Sequence, residues 1–142
     1  DLDVGRDWAF GHYTHEKNPV TAMAALTTIE IIEDERLVEN AARLGTMALE
    51  RMQQMRQRHA VIGDCRGRGL LLGIELVRSR EGKEPASDFA EAVMYRCMDA
   101  GLSFKTTMGN VLTLTPPLTV TEGEMSHALD VIEAAIAAGP AD

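Results

Sequence analysis

With 142 residues, 45% of them apolar and 25% charged, the chain has the usage of one globular domain, and no stretch approaches the roughly 18 apolar residues of a membrane-spanning helix. A formal net charge of −8, with no Lys/Arg cluster interleaved with aromatics, argues against a nucleic-acid partner or an anionic lipid surface. Cys65 and Cys97 lack CxxC spacing and sit in apolar contexts, which reads as buried free thiols in a reducing compartment, and so as a cytoplasmic protein.

Residues 1–18 show neither a helical nor a strand period and begin without Met or an apolar leader. They are expected to be an arm from the middle of a longer polypeptide, ordered by docking on another domain or a second subunit. Asn18 suits an N-cap and Pro19 a first helical position, and Met23, Leu26, Ile29 and Ile32 predict a helix to about Asp34. Leu37, Ala41, Leu44, Ala48, Met52 and Met55 lay one apolar stripe along a second helix ending near Arg58. Val61-Ile62 and the run LLLGIELV, 70–77, predict strands, and SREGKEP a surface loop. Ser87 or Asp88 is expected to cap a third helix carrying Phe89, Val93 and Cys97 on one face, with Gly101 as its left-handed terminator. LSF and VLTLT predict two strands about a turn at Met108-Gly109-Asn110, the second ended by Pro116-Pro117. Thr121 and Glu124 predict a capping box for a final helix with Met125, Leu129, Ile132 and Ile136 inward, stopped by Gly139-Pro140. The order α, α, β, β, α, β, β, α implies an α+β domain, a small mixed or antiparallel sheet with helices against it.

The residues by themselves carry little chemistry. His12 and His15 form an HxxH pair, but no third ligand stands at metal spacing, and His59 and His127 lie on other elements, so no metal is expected. The glycines of GDCRGRGLLLG lack the strand-before, helix-after context of a dinucleotide fingerprint and are expected to serve kinks and close packing. Arg66 and Arg68 suit a carboxylate or phosphate, or a structural ion pair with Asp64 or Glu75. No Ser-His-acid arrangement is readable.

The succession GHYTHEKNPVTAMAALTTIEIIE, LVENAARLG, IGDCRGRGLLLGIELV and GNVLTLTPPLTVTEGEM resembles the C-terminal part of class III pyridoxal-phosphate aminotransferases. Within that group IGDCRGRGLLLG, KEPA and TPPLTV are most similar to 2,2-dialkylglycine decarboxylase. The resemblance implies the small domain of fold type I enzymes over residues 19–142, with residues 1–18 an interface arm left over from the large domain. It further implies a homodimer with active sites at the subunit interface, the cofactor pyridoxal phosphate, and small amine, amino-acid and oxo-acid substrates. Thr14 occupies the T-x-x-x-[ND]-P position, whose hydroxyl reaches the cofactor phosphate of the neighbouring subunit. Thr113 stands where many relatives place an arginine that grips the substrate carboxylate.

The family's Schiff-base lysine lies upstream of the threonine motif, and Lys17, Lys83 and Lys105 do not match it, Lys105 being expected to follow a strand on the far side of the domain. No catalytic residue is therefore expected in this chain, which reads as an inactive fragment. Two classes remain open: part of an enzyme that transaminates, or decarboxylates or eliminates on the same fold, and a non-catalytic dimerisation remnant. The threonine in place of arginine favours an amine, an ω-amino compound or an amino-phosphonate or phosphate ester over simple α-amino acids; the alternative is that another arginine, outside this chain, takes over the same carboxylate.

Overall fold

A computed structural model of the chain describes residues 18–139; the expectations for His12, Thr14, His15 and Lys17, and for Pro140 as a helix stop, lie outside the described residues. The chain divides after Arg36. In the first unit, α1 (Pro19–Asp34) starts where its sequence predicts: Asn18 is extended, and its side-chain oxygen accepts from the Val20 N–H at 2.9 Å, with Pro19 in the first turn. None of its residues is buried, and Val20, Met23, Leu26 and Ile29 are exposed.

The second unit holds α2 (Leu37–Arg58), β1 (Ile62–Arg68), β2 (Leu71–Leu76), α3 (Ser87–Asp99), β3 (Lys105–Thr107), β4 (Val111–Leu114) and α4 (Glu122–Ala137). Together with α1 this is the predicted order. Every strand pairing is antiparallel, in the order β1-β2-β4-β3, so the domain is α+β with an antiparallel sheet. Helices α2 and α3 pack on the sheet, and α4 packs on both helices. The stripe predicted for α2 is the one that packs, with Leu44, Ala48, Met52 and Met55 fully buried and Ala41 at its margin. They meet Ile62, Leu72, Ile74, Leu76 and Leu112 from one face of the sheet and Leu129 and Ile132 from α4, a core whose burial stabilises by roughly 1.5–3 kcal/mol per large side chain. The expected capping box opens α4: Thr121 Oγ1 accepts from the Glu124 N–H at 3.3 Å, and the Glu124 carboxylate accepts from the Thr121 N–H at 2.8 Å.

Three local expectations are corrected or extended. The strand predicted at Val61-Ile62 starts at Ile62 and runs on through the glycine-rich segment to Arg68 as β1, its glycines serving the expected kink, at the register shift between Ile62 and Asp64, and the expected close packing from within the strand. Gly67 shows why glycine is required there: a Cβ would lie 2.5 Å from the Leu71 carbonyl oxygen and 3.0 Å from Leu72 Cα, inside the tight β1–β2 turn. The strand before the Met108 turn is Lys105–Thr107, not LSF; Leu102 and Phe104 pack against the core instead. Met108 and Gly109 both take positive φ, 55° and 82°, and the hairpin is centred on Gly109, which sets the pairing three residues later than the apolar pattern suggests. Finally, neither Ser87 nor Asp88 caps α3, because the helix includes Ser87 and its N-cap position is Ala86, with no side-chain bond. Gly101, φ 85°, does terminate α3 as expected.

Candidate functional site

Antiparallel partners share a face, and alternate residues leave it, so the sheet's two faces can be read from the register. Cys65, Leu72, Ile74, Leu112 and Leu114 face the helices and are buried. Asp64, Arg66, Arg68, Leu71, Gly73, Glu75, Val111, Thr113, Lys105 and Thr107 therefore form the opposite face, on which the helices of this unit do not pack; Leu71 there is 62% exposed. Arg66 pairs with Gly73, Gly73 with Thr113, and Thr113 with Lys105, so these four positions make one row across all four strands.

Each end of that row has its own chemistry. Arg66 donates to Asp64 at 2.9 Å and to Glu75 at 2.6 Å, the structural ion pairs its neighbours suggested, and these carboxylates hold its guanidinium above its ordinary pKa, Glu75 first. Both acids and this arginine are thus committed to one another. At the other end Thr113 Oγ1 lies 2.7 Å from Thr107 Oγ1. Gly73, between Arg66 and Thr113, carries no side chain, and a Cβ there would stand 3.2 Å from Val111 Cγ1. Thr113 and Lys105 also border a cleft of about 440 Å³ with Phe104, Pro116 and Met125, and Glu124 on its rim is engaged by the capping box.

The strand displacement corrects the expectation for Lys105. It does not follow a strand on the far side of the domain; it lies within β3, directly across from Thr113. Reading KTT as the strand partner of VLT, symmetric about Gly109, would have exposed this in the sequence; the apolar LSF drew the strand too early.

The other candidates stay apart from this row. His59 lies 3.1 Å from Glu133, which also takes a two-point contact from Arg58 at 2.8 and 3.0 Å; this cluster ties α2 to α4. Arg58 first, then His59, holds the Glu133 carboxyl below its usual range. His127 is exposed on α4. No group of three potential metal ligands occurs among the described residues. Cys65 and Cys97 are buried free thiols, both pushed up to about 11 by desolvation. Lys83 sits in an exposed loop and Lys105 is exposed on β3.

Residues 6–136 match the family described as Aminotransferase class-III. The chain belongs to that family. It is 49% identical over 129 residues to (R)-1-hydroxy-2-aminoethylphosphonate ammonia-lyase of Vibrio splendidus, covering 91% of this chain and 27% of that protein. It is 43% identical over 128 residues to leucine/methionine racemase of Thermococcus litoralis, covering 89% and 29%. Among solved structures it resembles an amine transaminase from an uncultivated Pseudomonas species in the PLP-bound form, with a TM-score of 0.83 and 33% identity over 91% of this chain and 30% of that one. A phospholyase from Arthrobacter in complex with phosphoethanolamine matches with a TM-score of 0.81 and 27% identity, over 86% and 29%. The chain thus spans between a quarter and a third of the length of these proteins. Among the described residues no helix is long and apolar enough to cross a membrane.

Proposed function

We propose that this chain is the C-terminal part of a pyridoxal-phosphate enzyme that transfers an amino group between a small amine and an oxo acid or aldehyde, preferring amines that lack an α-carboxylate. The observation that carries the reading is Thr113. It occupies the strand position before Pro116-Pro117 where the family resemblance expects a carboxylate-gripping arginine, and it lies on the sheet face on which the helices of its own unit do not pack. A threonine offers one hydroxyl and no charge, so the two-point contact of a guanidinium with a carboxylate is not available from this position. The phosphonate in the name of the 49% identical relative and the phosphoethanolamine of the Arthrobacter complex support a substrate that joins a primary amine to a tetrahedral anion. Ammonia elimination is the second reading, favoured by that same relative's name.

In this reading the cofactor supplies an electron sink for the amine carbon. The lysine that holds it lies in the part of the protein outside this chain, and among the described residues none is placed to hold it. Residues 1–18 form an arm lent to the other subunit of a cytoplasmic homodimer, residues 19–142 form the small domain, and the Thr14 hydroxyl donates to the cofactor phosphate across the interface. Replacing Thr14→Ala in the intact protein is expected to weaken pyridoxal-phosphate binding about 10- to 100-fold, the worth of one hydrogen bond to a charged group. An unchanged dissociation constant would remove Thr14 from the cofactor site.

The substrate reading is tested by Thr113→Arg in the intact protein, with kcat/KM measured for an amine and for its α-carboxylated analogue. The native protein is expected to prefer the amine and the variant to shift toward the α-amino acid. A native preference of a hundredfold for the α-amino acid, untouched by Thr113→Arg, refutes it. A polypeptide with no upstream lysine-bearing region in the same frame would instead favour a dimerisation remnant.

A further inference from the structure

The open sheet face differs in charge from the rest of the molecule. The whole chain carries −8, yet the strand residues on this face bring three cations, Arg66, Arg68 and Lys105, against two carboxylates, Asp64 and Glu75. Both carboxylates are already bound to Arg66. The Lys105 ammonium makes no hydrogen bond or ion pair among the described residues, although it stands directly across from Thr113. Cross-strand partners have Cβ atoms about 5 Å apart, so the lysine stem can bring its ammonium over the Thr113 and Thr107 hydroxyls. Those hydroxyls share one proton across 2.7 Å and leave the other free to donate outward. Gly73, the next position in the row, presents no side chain of its own, and Val111 Cγ1 lies over it.

A compact point charge with three N–H donors, beside a free hydroxyl, suits an anion whose oxygens spread tetrahedrally; a planar carboxylate is better matched by the guanidinium fork that position 113 lacks. We propose that Lys105, with the Thr107 and Thr113 hydroxyls, seats the phosphonate group of an aminoalkylphosphonate substrate. This seat rests on the function proposed above and names the substrate class and the cation that replaces the family arginine.

The test uses the intact protein loaded with cofactor, with 2-aminoethylphosphonate and propylamine as paired substrates. Ammonia and oxo-acid-dependent products are both measured, so transfer and elimination are each detected. Lys105→Ala is expected to reduce kcat/KM for the phosphonate 10- to 100-fold more than for propylamine, mainly through KM. Lys105→Arg should recover most of the loss, and Lys83→Ala, a loop cation, should leave the ratio as it is. Thr113→Val should reduce the ratio in the same sense by a smaller factor. A second readout is independent of turnover: the dissociation constant of methylphosphonate from the cofactor-free protein, by phosphorus NMR, should rise at least tenfold in Lys105→Ala. Turnover of both amines with a ratio indifferent to Lys105 overturns the seat and keeps the enzyme reading. Methylphosphonate binding that depends on Lys105, in a protein that turns over neither amine, overturns the enzyme reading and keeps the seat. Neither turnover nor binding overturns both.

Discussion

Gly45 sits in the middle of α2, where alanine is ordinarily preferred by about 1 kcal/mol because glycine loses more backbone entropy on entering a helix. Here the opposite is expected. A Cβ at residue 45 would come within 2.5 Å of the Gly69 carbonyl carbon and 2.7 Å of Gly69 Cα, and closer still to the Gly69 oxygen. These are backbone atoms of the β1–β2 turn, held by β1 and β2 on both sides, so no side-chain rotation relieves the clash. Overpacking of this kind costs about 1–3 kcal/mol, and a rigid backbone neighbour places the cost at the upper end. Against the helix preference, Gly45→Ala should destabilise by about 2 kcal/mol. Urea unfolding followed by circular dichroism should show a midpoint lowered by roughly 1 M with an unchanged slope. Gly123→Ala is the paired control, since a Cβ at that α4 position meets nothing within 4 Å, and it should be neutral or stabilising by up to about 1 kcal/mol. If Gly45→Ala is as stable as the parent, α2 does not approach the turn this closely and the packing argument fails.

Arg58, then His59, depresses the Glu133 carboxyl, so this cluster should stabilise the fold above the ordinary carboxylate range and lose that stabilisation as pH falls through the lowered folded value. Stability against pH should therefore separate parent from Glu133→Gln near neutrality and bring them together once pH has fallen below that lowered value; a constant gap throughout would refute the linkage. Cys65 and Cys97, buried with thiols raised to about 11, should resist iodoacetamide at about pH 8 in the folded protein and react after denaturation, as read by peptide mapping. Rapid native labelling at either position would show that the core opens there.

Family membership is legible in the sequence itself, because four motifs keep their order and spacing through the chain, and the family match covers the same span. The narrower likeness to 2,2-dialkylglycine decarboxylase is not specifically supported; the relatives at 49% and 43% identity bear ammonia-lyase and racemase names.

Local signals determined the elements whose physics is local. Asn18-Pro19 set the start of α1, Thr121 and Glu124 that of α4, and the stripe from Leu37 to Met55 marked the buried side of α2, since caps and helical period act within a few residues of the chain. Where the strands lie and what they pair with was settled by tertiary structure. The glycine-rich Gly63–Arg68 has poor strand propensity, yet it becomes β1 because β2 offers it a ladder and Leu72 and the β1–β2 turn leave no room for side chains at Gly67. The apolar LSF has the better propensity, yet its leucine and phenylalanine turn to the core and the pairing passes to Lys105–Thr107. Side chains alternate with a period of two along a strand, so the exact register decides which face each residue reaches. The lysine, the two threonines and Gly73 are therefore scattered positions in the sequence, and one row with its neighbour on a single sheet face only after the hairpin closes about Gly109 and β4 docks on β2.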